Sequence, residues 1–250
     1  MILDLFFIYP LNSYNVNENV METSYIYYLL DKSGSMSSRK SQVLSGMNEF
    51  IQDQKNLGSC VVSFYTFNNS LQTIFENKPI GEVEEIQSEE YVPCCSTALY
   101  DAMGAVLQKM EIPSDTQDKY ILIVLTDGEE NSSQRFTSTQ LQSLIGEKKC
   151  DQLQIIYMGS NQDAILNGAV MGASRDSSLQ YQDHNLLEAI RSTNTAVRRY
   201  RTSQTPTIQY TQTERNVSSG TDSQSRPENS SPPQFIPLQN DRIPVRRMGV

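Results

Sequence analysis

The chain has one histidine, no tryptophan and only four cysteines in 250 residues. No His-based triad or zinc centre can be built from His184 alone, and it lies far in sequence from Asp31 and Asp127. No apolar run of 18 or more residues is present, so no membrane span is expected. Basic residues are outnumbered, 20 against 29 acids, for a net charge of −9. That balance leaves no phosphate footprint for nucleic-acid binding. No glycine-rich phosphate cradle is present either. Cys60, Cys94, Cys95 and Cys150 form no Cys-x-x-Cys pair, and the neighbours 94 and 95 do not bridge easily. A reduced, cytoplasmic setting is expected. Metal-assisted hydrolysis would still lack a general base, so the chain does not read as an enzyme.

What the sequence does contain centres on Asp31-Lys32-Ser33-Gly34-Ser35. Ser24 to Leu30 before it is aromatic and aliphatic without charge, and reads as a buried strand. After it, Val43, Met47, Phe50 and Ile51 recur at helical spacing. A carboxylate and two hydroxyls therefore stand where a strand ends and a helix begins. In open α/β folds that is where ligands bind. Oxygen donors of this kind suit a hard cation, magnesium or manganese, rather than zinc. Two further stretches supply similar groups. Tyr91 to Ala102 is a loop running into a helix, with Thr97 at the junction. Ile121 to Leu125 is a second buried strand, followed by Thr126-Asp127-Gly128.

Asp-x-Ser-x-Ser at 31–35, Thr97 in Ser-Thr-Ala-Leu-Tyr-Asp-Ala, and Asp127 in Leu-Thr-Asp-Gly together resemble the metal-ion-dependent adhesion site of a von Willebrand factor A domain. The resemblance covers about residues 22 to 200. The stretch Gly159 to Ile165 is similar to single-domain members from bacteria, phages and large DNA viruses. The resemblance implies a doubly wound, Rossmann-like α/β fold, with a mostly parallel central sheet, one antiparallel edge strand and helices on both faces. It implies a magnesium or manganese ion held by Asp31, Ser33, Ser35, Thr97 and Asp127. Ser33 and Ser35 would be direct hydroxyl ligands; Asp31 and Thr97 would act directly or through water, and Asp127 directly or from behind the ligands. One position stays open, which in the family a partner's Asp or Glu carboxylate fills. A coupling between the metal loops and the last helix is implied as well. Cys95 departs from the pattern, because the family usually places glycine just before the Ser/Thr-Thr; a side chain there restricts the loop.

The domain organisation is read as an N-terminal extension (1–21), a domain of 22–202 and a polar tail (203–250). Residues 1–9 are apolar but lack the features of a signal peptide. Either Met21 is the true start, or this arm packs on the domain or on a partner. The expected elements are a helix from Ser37 to Asn56, a strand from Cys60 to Phe67 and an edge strand from Leu71 to Phe75. A helix from Thr97 to Met110, a short helix around Leu141, Leu144 and Ile145, and a strand from Leu153 to Met158 follow. A helix starting with Ser160 or Asn161 as N-cap, a short strand from Ser178 and a final helix from Asn185 to Arg201 complete the domain. The arginines late in that helix suit its macrodipole. The glutamates of 81–90 read as a solvated acidic loop, or as charge close to the Thr97 loop. From Ser203, Thr, Gln, Ser, Asn and Pro dominate, with six of the ten prolines. Such a segment cannot fold alone and is expected to be flexible, with Phe235–Leu238 and Ile243–Met248 as short anchors. Two functions follow. One is a metal-dependent protein-interaction module. The alternative is a fixed component of a larger assembly, such as a virion, docking through arm and tail.

Overall fold

The computed structural model describes residues 22–160 and 164–221. Its strands are β1 (Ser24–Asp31), β2 (Cys60–Phe67), β3 (Leu71–Pro79), β4 (Lys119–Thr126), β5 (Leu153–Gly159) and β6 (Ser178–Gln180). They form one sheet in the order β3-β2-β1-β4-β5-β6. All neighbours are parallel except β2 and β3. The central strands are buried on both faces, which is why they read as continuous apolar runs rather than alternating ones. Successive residues of β1 feed opposite layers: Ile26, Tyr28 and Leu30 one, Tyr27 and Leu29 the other.

The helices are α1 (Lys40–Lys55), α2 (Leu99–Lys109), α3 (Ser138–Lys148), α4 (Ala164–Val170), α5 (Leu186–Arg201) and α6 (Gln212–Ser219). α1 and α5 cover the Ile26/Tyr28 face, and α2 and α3 the other. α1 and α5 meet at Gly46, where a Cβ would come within 2.7 Å of Ile190 Cδ1. Only a residue without a side chain permits that approach. The architecture is the doubly wound, Rossmann-like α/β fold expected, with β3 as the antiparallel edge strand. β1 lies between β2 and β4, so the connections diverge on either side of it. That is the switch point at which open sheets form a crevice.

Several boundaries differ from expectation for local reasons. α1 is preceded by a 3-10 turn over Gly34–Arg39, which the Ser37 hydroxyl tightens by donating to Gly34 O at 2.7 Å. β3 continues past Phe75 to Pro79 through a bulge, where Asn77 N–H donates to Ser63 Oγ at 2.9 Å. α2 starts at Leu99: Ala98 is its N-cap, with non-helical backbone (φ −97°, ψ 64°), and Thr97 N–H and Ala98 N–H bond to Asn131 Oδ1 and Asn68 O. The Ser160 hydroxyl donates to Asp127 O at 2.9 Å; the alternative cap, Asn161, lies outside the described residues. The acidic loop is pinned to α1 by Asn48, which exchanges hydrogen bonds with Ile86 N–H (2.8 Å) and Ile86 O (3.2 Å). Glu82, Glu84, Glu85 and Glu89 on it are exposed.

The largest difference lies in the segment expected as tail. Residues 203–221 dock on the domain: Ile208 and Tyr210 are buried with the α1/α5 core, and α6 follows. Thr211 and Glu214 form a capping box, and Gly220 closes the helix in the left-handed conformation. Arg199 holds both oxygens of Glu214, at 2.6 and 2.9 Å. A polar segment that cannot fold alone needs only two apolar anchors and one ion pair to settle on a surface already built. Residues 1–21 and the anchors at 235–238 and 243–248 lie outside the described residues.

The arginines of α5 also do more than complement its macrodipole. Arg201 turns inward to the end of α1. It donates to Gln54 Oε1 (2.6 Å), Ser59 O (3.1 Å) and Gly58 O (3.3 Å). Burial pushes its guanidinium below the ordinary value, but the group stays charged, and the carbonyls at a helix C-terminus supply the partial negative charge it needs. Arg201→Met should therefore strand several carbonyls and lower stability by about 2–4 kcal/mol in denaturant titration.

Burial pushes Glu214 up, but Arg199 and the Thr211 bonds outweigh it and hold the carboxyl below its ordinary value. Its contribution is present above the unfolded pKa and is lost as pH falls through the folded one. Acid titration of intrinsic tyrosine fluorescence should show α6 releasing, with Glu214→Gln weakening docking at neutral pH and flattening that acid-dependent step.

Candidate metal centre

β1 and β4 end side by side at the switch point, and their last residues carry the candidate site. The Asp31 side chain is enclosed. Oδ1 accepts Ser33 N–H at 2.6 Å and Oδ2 accepts the Thr126 hydroxyl at 2.6 Å. Burial pushes the Asp31 carboxyl above its ordinary range; the bonds from Thr126 and Ser33 pull it down, and the Asp127 charge adds to the upward push. A cation placed here would reverse the balance by favouring the charged form.

The remaining expected residues join the same cluster. Ser33 Oγ and Ser35 Oγ lie 3.0 Å apart, and Ser35 Oγ donates to Asp127 Oδ1 at 2.6 Å. Thr97 arrives from the β3–α2 loop. A Cβ on Gly128 would sit 3.1 Å from Thr97 Oγ1 and 3.8 Å from Asp31 Oδ2, so both oxygens face one spot that only glycine leaves open. Thr97 is buried. All five expected residues are thus brought together. No three His, Cys, Asp or Glu side chains gather for a metal among the described residues. The donor set here is of another kind, two carboxylates and three hydroxyls, which suits a hard divalent ion.

Several supporting residues were not expected. Arg39 Nη1 pairs with Asp127 Oδ2 and donates to Ser35 O at 2.8 Å, while Nη2 pairs with Asp183. Arg39 is buried and its Nε has no partner. Nothing in the sequence marks it, since an arginine at the start of a helix is ordinary. Asn131 holds Thr97 by a reciprocal pair: Thr97 N–H donates to Asn131 Oδ1 (2.9 Å), and Asn131 N–H to Thr97 O (3.0 Å). The Tyr91 hydroxyl donates to Asp31 O at 2.6 Å and the Tyr181 hydroxyl to Thr126 O at 3.0 Å. Thr126 was legible only as the neighbour of Asp127. At Cys95 the backbone adopts φ 73°. The side chain is accommodated in a conformation glycine would take without cost.

Among solved structures, the chain is similar to the pilus adhesin SpaC from Lactobacillus rhamnosus GG, at 13% identity and a TM-score of 0.57, over 72% of this chain and 31% of that one. It is similar to proximal thread matrix protein 1 from the mussel byssus, solved with a zinc-occupied MIDAS motif, at 14% identity and a TM-score of 0.52, over 71% and 46%. It is also similar to the minor pilin PilB from Streptococcus sanguinis, at 11% identity and a TM-score of 0.52, over 71% and 61%. This chain spans less than two thirds of the length of each, and at these identities the likeness establishes a shared fold. No family model and no curated protein matches the chain. No helix among the described residues is long and apolar enough to cross a membrane.

Thr126→Val keeps the shape of the side chain but removes the donor to Asp31 Oδ2 and the partner of Gly128 N–H. Without added metal, the variant should lose about 1–3 kcal/mol of stability in chemical denaturation.

Proposed function

We propose that this protein is a divalent-metal-dependent interaction module that takes a carboxylate from a protein partner at the crevice between β1 and β4. The observation that carries the reading is the convergence of Asp31, Ser33, Ser35, Thr97 and Asp127, with the Thr97 hydroxyl and Asp31 Oδ2 both close to the spot that Gly128 leaves open. These five residues would hold the ion. The all-oxygen donor set favours magnesium or manganese; the mussel byssus protein of the same fold carries zinc in its motif. When bound, the ion supplies a Lewis-acidic position for an incoming Asp or Glu carboxylate. Two protein carboxylates would roughly neutralise it, so a further acid is not strongly repelled.

The surroundings support protein binding. Val92, Ile165 and Leu166 are the large hydrophobic residues exposed among the described ones. Val92 lies on the loop that carries Thr97, between Tyr91 and Cys94, which both bond to the Asp31-Lys32 backbone. Ile165 and Leu166 open α4, just beyond Ser160, which holds Asp127 O. Such side chains would add apolar contact area for a partner that meets the ion. We read the site as binding rather than catalytic. His184 is exposed in the turn before α5, and the crevice offers no general base beyond the carboxylates committed to the ion.

Titration calorimetry should show magnesium or manganese binding to the wild-type chain and none to Asp31→Ala. Unchanged binding in that variant would refute the site. Partners captured by the immobilised protein should be released by a chelator and restored by added metal; capture indifferent to both would refute the metal's role in recognition.

A further inference from the structure

Cys94 and Cys95 are exposed and reduced. Their sulfurs face each other, with Sγ–Sγ at 2.7 Å. The left-handed backbone at Cys95 is one that residues with a side chain rarely adopt. Here it is held from both sides. Cys94 N–H donates to Lys32 O at 2.8 Å, and Gly34 N–H donates to Cys95 O at 3.0 Å. Asn68 Nδ2 reaches Cys94 O and Cys94 Sγ, each at 3.4 Å. Ser96 N–H is taken by Asn69 Oδ1 at 2.9 Å. The loop therefore presents two thiols to solvent as a matched pair rather than as two independent side chains.

The other cysteines cannot compete for either sulfur. Cys60 opens β2 and Cys150 precedes β5, so both lie at the amino ends of the parallel strands, whereas 94 and 95 lie beyond the carboxyl ends. An eight-residue strand separates the two edges by about 25 Å. Cys60 is also buried, and burial pushes its thiol up to about 11.

We infer that Cys94–Cys95 is a dithiol modification site that a low-molecular-weight disulfide closes to a vicinal disulfide. One cysteine thiolate attacks a sulfur of glutathione disulfide, forming a mixed disulfide and releasing one glutathione thiolate. The neighbouring thiolate then attacks the cysteine sulfur of that mixed disulfide and releases the second. The two cysteines lose two electrons and two protons, and one glutathione disulfide becomes two glutathione thiols. Adjacent Cα atoms stand about 3.8 Å apart, closer than most disulfides allow. An exposed bond of this kind is readily reduced, which makes the modification reversible. Neither sulfur belongs to the five-residue donor set, so the exchange itself needs no ion.

The test uses the full chain, reduced and kept in chelator, incubated with glutathione disulfide and examined by intact and peptide mass spectrometry without reductant. The expected product is a monomer lighter by two hydrogens. The loss should map to the peptide holding residues 94 and 95 and reverse with dithiothreitol. Cys94→Ser and Cys95→Ser should each instead retain one glutathione. Cys95→Gly, which suits the left-handed backbone, should melt no lower than wild type and also fail to lose the two hydrogens. Persistent glutathione on the wild-type pair, a bond to Cys60 or Cys150, a covalent dimer, or no change in mass would each overturn the proposal. Because no metal is present, these outcomes are separate from those that test the ion site.

Discussion

The crevice depends on the burial of a single carboxylate. Asp31 is withdrawn from water at the end of β1, where an isolated charge would be costly. Its neighbours are arranged as donors, Ser33 N–H to one oxygen and the Thr126 hydroxyl to the other. The second of these bonds ties β1 to β4 at the place where the chain's connections part. The Tyr91 and Tyr181 hydroxyls secure the last carbonyls of the same two strands. The site's rigidity thus comes from the sheet's need to satisfy polar groups at its rim, and the other donors inherit that order.

Asp127 is supported differently. It stands against Arg39, so the crevice has an internal guanidinium beside one of its carboxylates. The same guanidinium reaches Asp183, in the turn just ahead of α5. One buried side chain therefore touches the metal loop and the entrance to the helix that packs along α1. Asp127 and Asp183 thus share one guanidinium across the gap between the β4 loop and the turn before α5.

Much of this was legible in the residues. The strands β1, β2, β4 and β5 stood out because burial on both faces leaves no polar interruption. Asp31, Ser33, Ser35, Thr97 and Asp127 stood out because the three stretches that carry them resemble, together and in order, one known adhesion-site pattern. Arg39, Asn131 and Tyr91 did not. Their roles follow from which loop meets which, and a single arginine or asparagine carries no periodic signal. α6 was missed for the opposite reason. Its composition is that of an unstructured segment, and only the surface left by α5 and β6, with Arg199 waiting for Glu214, makes it a helix. Cys95 was recognised as a departure from pattern, but the pairing of its sulfur with that of Cys94 depends on backbone angles that sequence does not display.

α6 also bears on how copies of the chain behave towards one another. β6 is only three residues long and ends the sheet on one side. Arg215 of the helix region occupies Ser178 O, and Gln182 N–H is taken by Ser218 O. On the other side, β3 carries Glu76, Lys78 and a terminal proline, and is bent by its bulge. Open sheet margins are templates on which further strands can grow. A chain cut before residue 203 would bare the β6 margin together with the core surface that Ile208 and Tyr210 cover.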